Sequence, residues 1–261
     1  SENTFIGTSA GRSMTTGALN VAVGSNSLRN QTTTSHNIAI GRSAMQASTS
    51  GSENIAIGTD ALEATSATGN VAIGYRVAIG GSQSGSYNTL IGHEVGQALD
   101  NGEQNELIGR QAGYSLTNGS TNTVVGYQAM YANTTGSSCV AIGFRALLSD
   151  TLGSKSIAIG DVALLNQNFT SATDSYNVAI GHEAGNAVTT GINNTLIGGL
   201  AGDALTDADY NVAVGFQALG TDVLGSRSVA IGFEALKTQN PGSAVDMYNV
   251  GIGFNAGQQI T

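Results

Sequence analysis

The 261-residue chain has no tryptophan, one proline, one cysteine, 5% aromatic residues and 10% charged residues. Each scarcity removes a class of protein. A conventional globular domain of this length needs a core of large side chains, and so few aromatics argue against one. Cys139 stands alone, which excludes an internal disulfide framework and leaves the redox compartment open. The nine Lys and Arg are scattered among 18 Asp and Glu, for a net charge of −9 and a pI near 4.5. Nucleic acid is therefore not an expected partner, because phosphate binding needs a basic stripe. No stretch approaches the ~18 consecutive apolar residues of a membrane span, so no membrane insertion is expected. Ser1-Glu2-Asn3-Thr4 already falls within the repeat described below, so no signal peptide is expected in this stretch.

Glycine, by contrast, is abundant. Its 37 copies in 261 residues are 14%, about twice the usual ~7%. The chain is too apolar for disorder, at 40% hydrophobic with a mean hydropathy of +0.02, and it lacks the glycine at every third residue that collagen requires. A repeat protein that turns tightly and often fits what remains.

The repeat is visible in Asn3-Thr4-Phe5-Ile6-Gly7, Asn20-Val21-Ala22-Val23-Gly24 and Asn37-Ile38-Ala39-Ile40-Gly41. Its turn glycines are residues 7, 24, 41, 58, 74, 92, 109, 126, 143, 160, 181, 198, 215, 232 and 253, spaced by 17 except for one 16, one 18 and two 21s. The residue before each glycine is Ile or Val in all fifteen copies, and the residue three before is β-branched in all but one, Glu106. Alternating β-branched residues predict a short strand with that face buried. Glu106 on such a face must be neutralised by Arg110 or else lie where the face is wet. Four before the glycine stands Asn in twelve copies, replaced by Cys139, Ser156 and Ser228; stacked Asn side chains can form a ladder. Cys139 reads there as a small buried residue rather than a reactive thiol.

The fourth residue after the glycine is Gly in six copies, Leu or Met in eight and Ala78 once. It is Gly where the middle strand residue is large (Phe5, Leu90, Leu107, Leu196) and usually Leu or Met where that residue is Ala. The two positions should fill one shared space, although Val124 with Met130 breaks the rule and Ala179 with Gly185 leaves the space underfilled. They form a second packing surface opposite the Ile/Val face, which predicts a strand covered on both sides. Each coil then reads as strand, glycine turn, second short strand and polar return. At ~4.8 Å per coil, fifteen coils would make a rod about 70 Å long. A single repeat domain over residues 1–261 is expected. A thin roll with a second apolar face should self-associate.

A longer period is superimposed on the first. Turn glycines 109, 181 and 253 are 72 apart, and the superperiod is evident over residues 105–253. Leu152-Gly153-Ser154-Lys155-Ser156 returns as Leu224-Gly225-Ser226-Arg227-Ser228, and four-residue extensions fall at one phase, in Asn166 to Ser175 and Gln239 to Met247. They predict longer loops projecting from the stack.

Asn-Val-Ala-Ile-Gly at 70–74 and 177–181, and Asn-Ile-Ala-Ile-Gly at 37–41 and 54–58, followed by Ala three residues later, resemble the head repeat of trimeric autotransporter adhesins of the YadA type. The variant with Tyr-Gln-Ala-Met (127–130) or Phe-Gln-Ala-Leu (216–219) after the glycine is similar to fibre proteins of bacteriophages and of some bacteria. The resemblance covers essentially the whole chain. It implies a left-handed parallel β-roll, three protomers per rod, an extracellular place on a cell-surface or virion fibre, and attachment to a glycan or protein receptor on a target cell.

Aromatic residues recur just after the turn glycine, at Tyr75, Tyr127, Phe144, Phe216, Phe233 and Phe254. Stacking of Tyr127 on Phe144, and of Phe216 on Phe233 on Phe254, would make either a stabilising ladder at the roll edge or subunit seam, or a sugar-stacking stripe. Tyr87, Tyr176, Tyr210 and Tyr248, before the Asn column, read as turn covers. His93-Glu94 and His182-Glu183 lack the second His of a zinc helix, and His36, His93 and His182 offer no base with an orienting acid. Neither a metal, a cofactor nor catalysis is therefore expected. The alternatives to a fibre or adhesin segment are an ice- or carbohydrate-binding solenoid and, less well supported, a β-helix enzyme. Thr shares one column only at 4, 89, 123 and 195, short of the flat array an ice binder needs, and one Ile/Val-Gly step per 17 residues is not the three per coil of hexapeptide-repeat transferases.

Overall fold

A computed structural model describes residues 2–80 and 84–260, all in strands, turns and loops; no helix occurs among the described residues. The chain is an all-β parallel solenoid, with two compact units, Ser1–Val125 and Gly126–Thr261.

The first unit carries eight three-residue strands: β1 (Thr4–Ile6), β2 (Val21–Val23), β3 (Ile38–Ile40), β4 (Ile55–Ile57), β5 (Val71–Ile73), β6 (Thr89–Ile91), β7 (Glu106–Ile108) and β8 (Thr123–Val125). Each pairs in parallel with the next, so that equivalent positions of successive coils lie side by side: Thr4 on Val21, Val21 on Ile38, and so to Glu106 on Thr123.

The second unit repeats the scheme with β9 (Val140–Ile142), β11 (Ile157–Ile159), β13 (Val178–Ile180), β14 (Thr195–Ile197), β15 (Val212–Val214), β17 (Val229–Ile231) and β19 (Val250–Ile252). Two short parallel pairs are added, β10 (Gly153–Ser154) with β12 (Thr173–Asp174) and β16 (Gly225–Ser226) with β18 (Val245–Asp246). Both join an extended loop to the coil before it.

The shared space between the two columns is found inside the coil as expected, but the Ile/Val face is not buried within the chain. In every three-residue strand but β1, where Phe5 is 37% exposed, the middle residue is buried in the coil, as at Ala22, Ala39, Leu90, Leu107, Ala179 and Leu196, whereas the flanking Ile and Val residues lie half-buried or exposed on the outside. The complementary position four residues past the turn glycine faces the same interior, with Leu28, Met45 and Leu62 fully buried. The coil therefore fills itself with the residues read as a second surface, and the Ile/Val face is left outward in the single chain. Glu106 is exposed on that outward face between Thr89 and Thr123, so the wet-face alternative describes it.

The large-for-small exchange holds in space. A Cβ on Gly113 would lie 2.9 Å from Leu107, and one on Gly202 2.8 Å from Leu196. Beside Ala179 the space is not empty either: a Cβ on Gly185 would meet Leu196 of the next coil at 2.7 Å and Leu164 of the preceding one at 3.0 Å. Neighbouring coils thus share the volume.

Among the described residues no strand follows directly on the turn glycine. The residues two and four beyond it have positive φ in every one of the fifteen coils, as at Asn26 (62°), Leu28 (47°), Gln128 (54°) and Met130 (51°), so the chain there turns rather than extends. Left-handed backbone costs a non-glycine residue about 1–2 kcal/mol. Full burial of Leu or Met returns about 1.5–3 kcal/mol, enough to hold the coil in that shape. Backbone hydrogen bonds still cross between coils there, Asn26 donating to Thr8 at 2.9 Å and Leu28 to Ala44 at 3.1 Å.

Asn side chains fasten the stack. From Asn20 to Asn122 each Asn backbone N–H donates to Oδ1 of the Asn one coil earlier, at 2.8–3.0 Å. The Nδ2 of each from Asn20 to Asn105 donates forward to a carbonyl of the next coil, such as Gly85 from Asn70 (3.1 Å), Gly102 from Asn88 (2.9 Å) and Gly119 from Asn105 (2.9 Å). Amide-to-amide contacts also occur, for example Asn105 to Asn88 at 3.0 Å. The second unit continues the pattern through Asn177, Asn194, Asn211 and the backbone of Ser228.

The turn glycines approach the next coil too closely to carry a side chain. At Gly198 (φ 133°) a Cβ would lie 2.6 Å from the carbonyl oxygen of Gly215, whereas at Gly253 (φ 125°) the nearest atom is 4.0 Å away. Gly198→Ala should therefore lower stability by about 3 kcal/mol or more, from backbone strain plus overpacking, and Gly253→Ala by about 1–2 kcal/mol, from strain alone. Denaturant melts of the two variants check the ordering; equal losses would contradict the close-approach account.

Candidate functional site

The aromatic column forms two stacks. Tyr127 and Phe144 have ring centroids 5.5 Å apart and planes 19° apart; Phe216 and Phe233 are 5.7 Å apart, and Phe233 and Phe254 5.1 Å at 8°. The sequence-derived pairings are those observed. The rings remain open to solvent, Phe144, Phe216 and Phe233 at 42–46% and Phe254 at 75%. Asp161, His182 and Gly199 occupy the same column between the two stacks, so the stripe is discontinuous. Tyr75 tilts against His93 at 5.1 Å instead. Parallel in-register coils bring these rings together; the alternation of ring and polar residue in the column decides where stacking stops.

The tyrosines before the Asn column do two different things. Tyr87 lies across Gly69 of the preceding coil, whose Cβ would be 2.8 Å from the ring, as a cover would. All four rings are about half exposed or more, but the other three meet charged groups: Lys155 Nζ lies 5.0 Å from the Tyr176 ring centroid, Arg227 Cζ lies 4.7 Å from that of Tyr210, and Tyr248 Oη donates to Asp246 at 3.0 Å. Lys155 also pairs with Asp174 at 2.7 Å, and Arg227 with Asp246 at 2.9 Å. These are outward clusters rather than turn covers. Both Asp residues sit on strands of the extended loops.

Beneath each loop is a buried polar network. Asp150 accepts the N–H of Gly153 at 3.0 Å and the Nε2 of Gln167 at 2.7 Å; Gln167 also donates to Ser156 Oγ at 2.8 Å and accepts from Asn177 Nδ2 at 2.9 Å. The identical arrangement recurs 72 residues on with Asp222, Gly225, Gln239, Ser228 and Asn249. The four central side chains Asp150, Gln167, Asp222 and Gln239 are fully buried. Desolvation pushes both carboxyls above the ordinary 3.8, opposed by the hydrogen bonds from Gln and backbone N–H. Sequence reading passed over these four residues, though the 72-residue repetition carries them: Asp150 returns as Asp222 and Gln167 as Gln239.

Cys139 is buried, and desolvation pushes its thiol up to about 11, in keeping with a small interior residue. It interrupts the Asn ladder: its Sγ reaches the Gly153 carbonyl only at 3.8 Å, and Asn133 Nδ2 donates to the same carbonyl at 3.1 Å. Of the histidines, His93 stands 3.6 Å from Glu94, and His182 3.8 Å from Glu183 and 3.9 Å from Asp161, all partly exposed. Among the described residues no group of three or more His, Cys, Asp or Glu is placed to hold a metal ion.

The Asp networks have a signed pH consequence. A carboxyl whose folded pKa is raised binds more protons in the folded than in the unfolded chain between 3.8 and the raised value, so its stabilisation is complete below 3.8 and is lost as pH rises through that window. Asp150→Asn with Asp222→Asn removes this titration and turns an NH2 toward a Gln whose orientation is fixed by Asn177 or Asn249. Melts from pH 4 to 7 should show stability lowered throughout, by about 1–3 kcal/mol per site, and a flatter decline with rising pH than in the parent. An unchanged slope would contradict the assignment.

No family model, curated protein or solved structure matches the chain.

Proposed function

We propose that the chain is a segment of a non-enzymatic, homotrimeric surface fibre or adhesin, wound as a left-handed β-roll and displayed outside a bacterial cell or on a virion tail, where it presents a surface for attachment to a target cell. One observation carries this reading: the coil interior is filled largely by Ala, Leu, Met and Gly, yet a second face stands outward with Ile or Val before every turn glycine and, except at Thr4, Thr89, Glu106, Thr123 and Thr195, Ile or Val at the start of the strand too. Contiguous apolar surface of that extent marks an interface. A ladder repeating once per coil is matched in period by another ladder of the same kind, which makes a second and third copy of this chain its natural cover. The resemblance to trimeric adhesin heads and phage fibres supplies the number three and the extracellular setting.

Light scattering should give a stable species near three times 26.2 kDa; a persistent monomer would overturn the reading. Ile180→Glu supplies the second arm. In a lone chain this outward position should tolerate the change within about 1 kcal/mol. In an assembly that buries it, the unpaired charge should abolish the trimer while circular dichroism of the monomer stays β-like. Ala179→Glu, one residue away but facing the interior, should prevent folding altogether.

A further inference from the structure

Insertions in a solenoid fall on one face, and that face is often the binding face. In residues 126–261 the two four-residue extensions share one phase, and each brings an aspartate, with a tyrosine just past it, to a cation on the coil before. Asp174 arrives beside Lys155 at 2.7 Å, and Tyr176 Oη accepts from Lys155 Nζ at 3.0 Å. Asp246 arrives beside Arg227 at 2.9 Å and accepts from Tyr248 Oη at 3.0 Å. The acid and cation side chains are 41–50% exposed, Tyr176 51% and Tyr248 68%. The bases of both loops are fixed by the buried Asp-Gln-Ser-Asn networks and by pairing of β12 and β18, so each trio stands on an ordered support, which lowers the ordering cost of binding.

We infer that the two trios are equivalent subsites for an uncharged polysaccharide. A pyranose offers an apolar C–H face to an aromatic ring and vicinal hydroxyls that donate to a carboxylate and accept from a cation; tyrosine, aspartate and lysine or arginine supply those groups where each loop meets the coil before it. Each acid–cation pair is neutral and the whole chain carries −9, so a polyanion gains no attraction here. The subsites are four coils apart, about 19 Å at ~4.8 Å per coil, a separation that one polymer chain spans and a single sugar does not. The second contact is then intramolecular and raises avidity without new chemistry. The inference names the ligand class for the attachment role proposed above, and does not depend on the number of protomers.

Affinity electrophoresis of the full chain through gels containing dextran, mannan or galactan tests it, with heparin and alginate as anionic controls. The expected result is retardation by at least one neutral polysaccharide, weakened tenfold or more by Tyr176→Ala or Tyr248→Ala and abolished by the double variant, with the corresponding tetrasaccharide competing at least 100-fold less well than the polymer. Tyr87→Ala, which alters a ring without an acid–cation partner, should bind as the parent does. No retardation by any neutral polysaccharide, retardation by the anionic polymers alone, or retardation lost in Phe216→Ala with Phe233→Ala but kept in the tyrosine double variant would each overturn the proposal. Scattering on the same samples separates that failure from failure of the trimeric reading.

Discussion

Close approach of successive coils at the turn glycine is the constraint on which the rest depends. With φ between 125° and 141° and, as at Gly198 where another coil follows, no room for a Cβ, this position fixes both the direction of the turn and the distance to the neighbour. Parallel in-register pairing follows, since a coil displaced by one residue would put a side chain where only hydrogen fits. Once register is fixed, every column becomes a ladder. Asn can then bond both backward and forward at almost no cost in side-chain order, and rings can stack where the column supplies them.

A coil of about 17 residues encloses little volume, and the sequence resolves this by exchanging bulk between two columns. Leu107 with Gly113 and Ala22 with Leu28 are two solutions to the same space, and Gly185 shows that the exchange extends across coils. Having filled the interior with these residues, the chain has no inward place for its most regular feature, the Ile/Val columns. Apolar residues held outward at every coil connect packing to the proposed assembly. The polar networks at Asp150 and Asp222 work in the opposite sense, placing charge-capable groups inside so that two loops can be held outside.

Much of this was legible in the sequence. The turn glycines, the strand positions, the Asn ladder, the complementary columns and the two extended loops all show as spacing. What could not be read was which strand face turns inward, because Ile-Ala-Ile presents β-branched residues on one side and Ala on the other, and hydrophobicity alone favours the larger pair. The absent second strand was hidden for a related reason: Leu28, Gln128 and Arg145 adopt left-handed backbone against their ordinary preference, held there by burial or by contacts between coils. The buried networks escaped because Asp150 and Gln167 are apart in sequence and meet only when coils stack. Tyr176 and Tyr248 looked like covers until Asp174 and Asp246 were placed beside them.

Thiol labelling at the outward face bears most directly on the central claim that one face of each strand closes the coil while the other awaits a partner copy. Cys139, buried with its thiol pushed up to about 11, gives a silent background. In a chain carrying Ile159→Cys, labelling should be slow at concentrations that favour assembly and fast after dilution or in an Ile180→Glu background, with the fold retained. Ala158→Cys should stay unreactive in both conditions. Fast labelling of Ile159→Cys at high concentration, or protection that dilution does not relieve, would contradict the account.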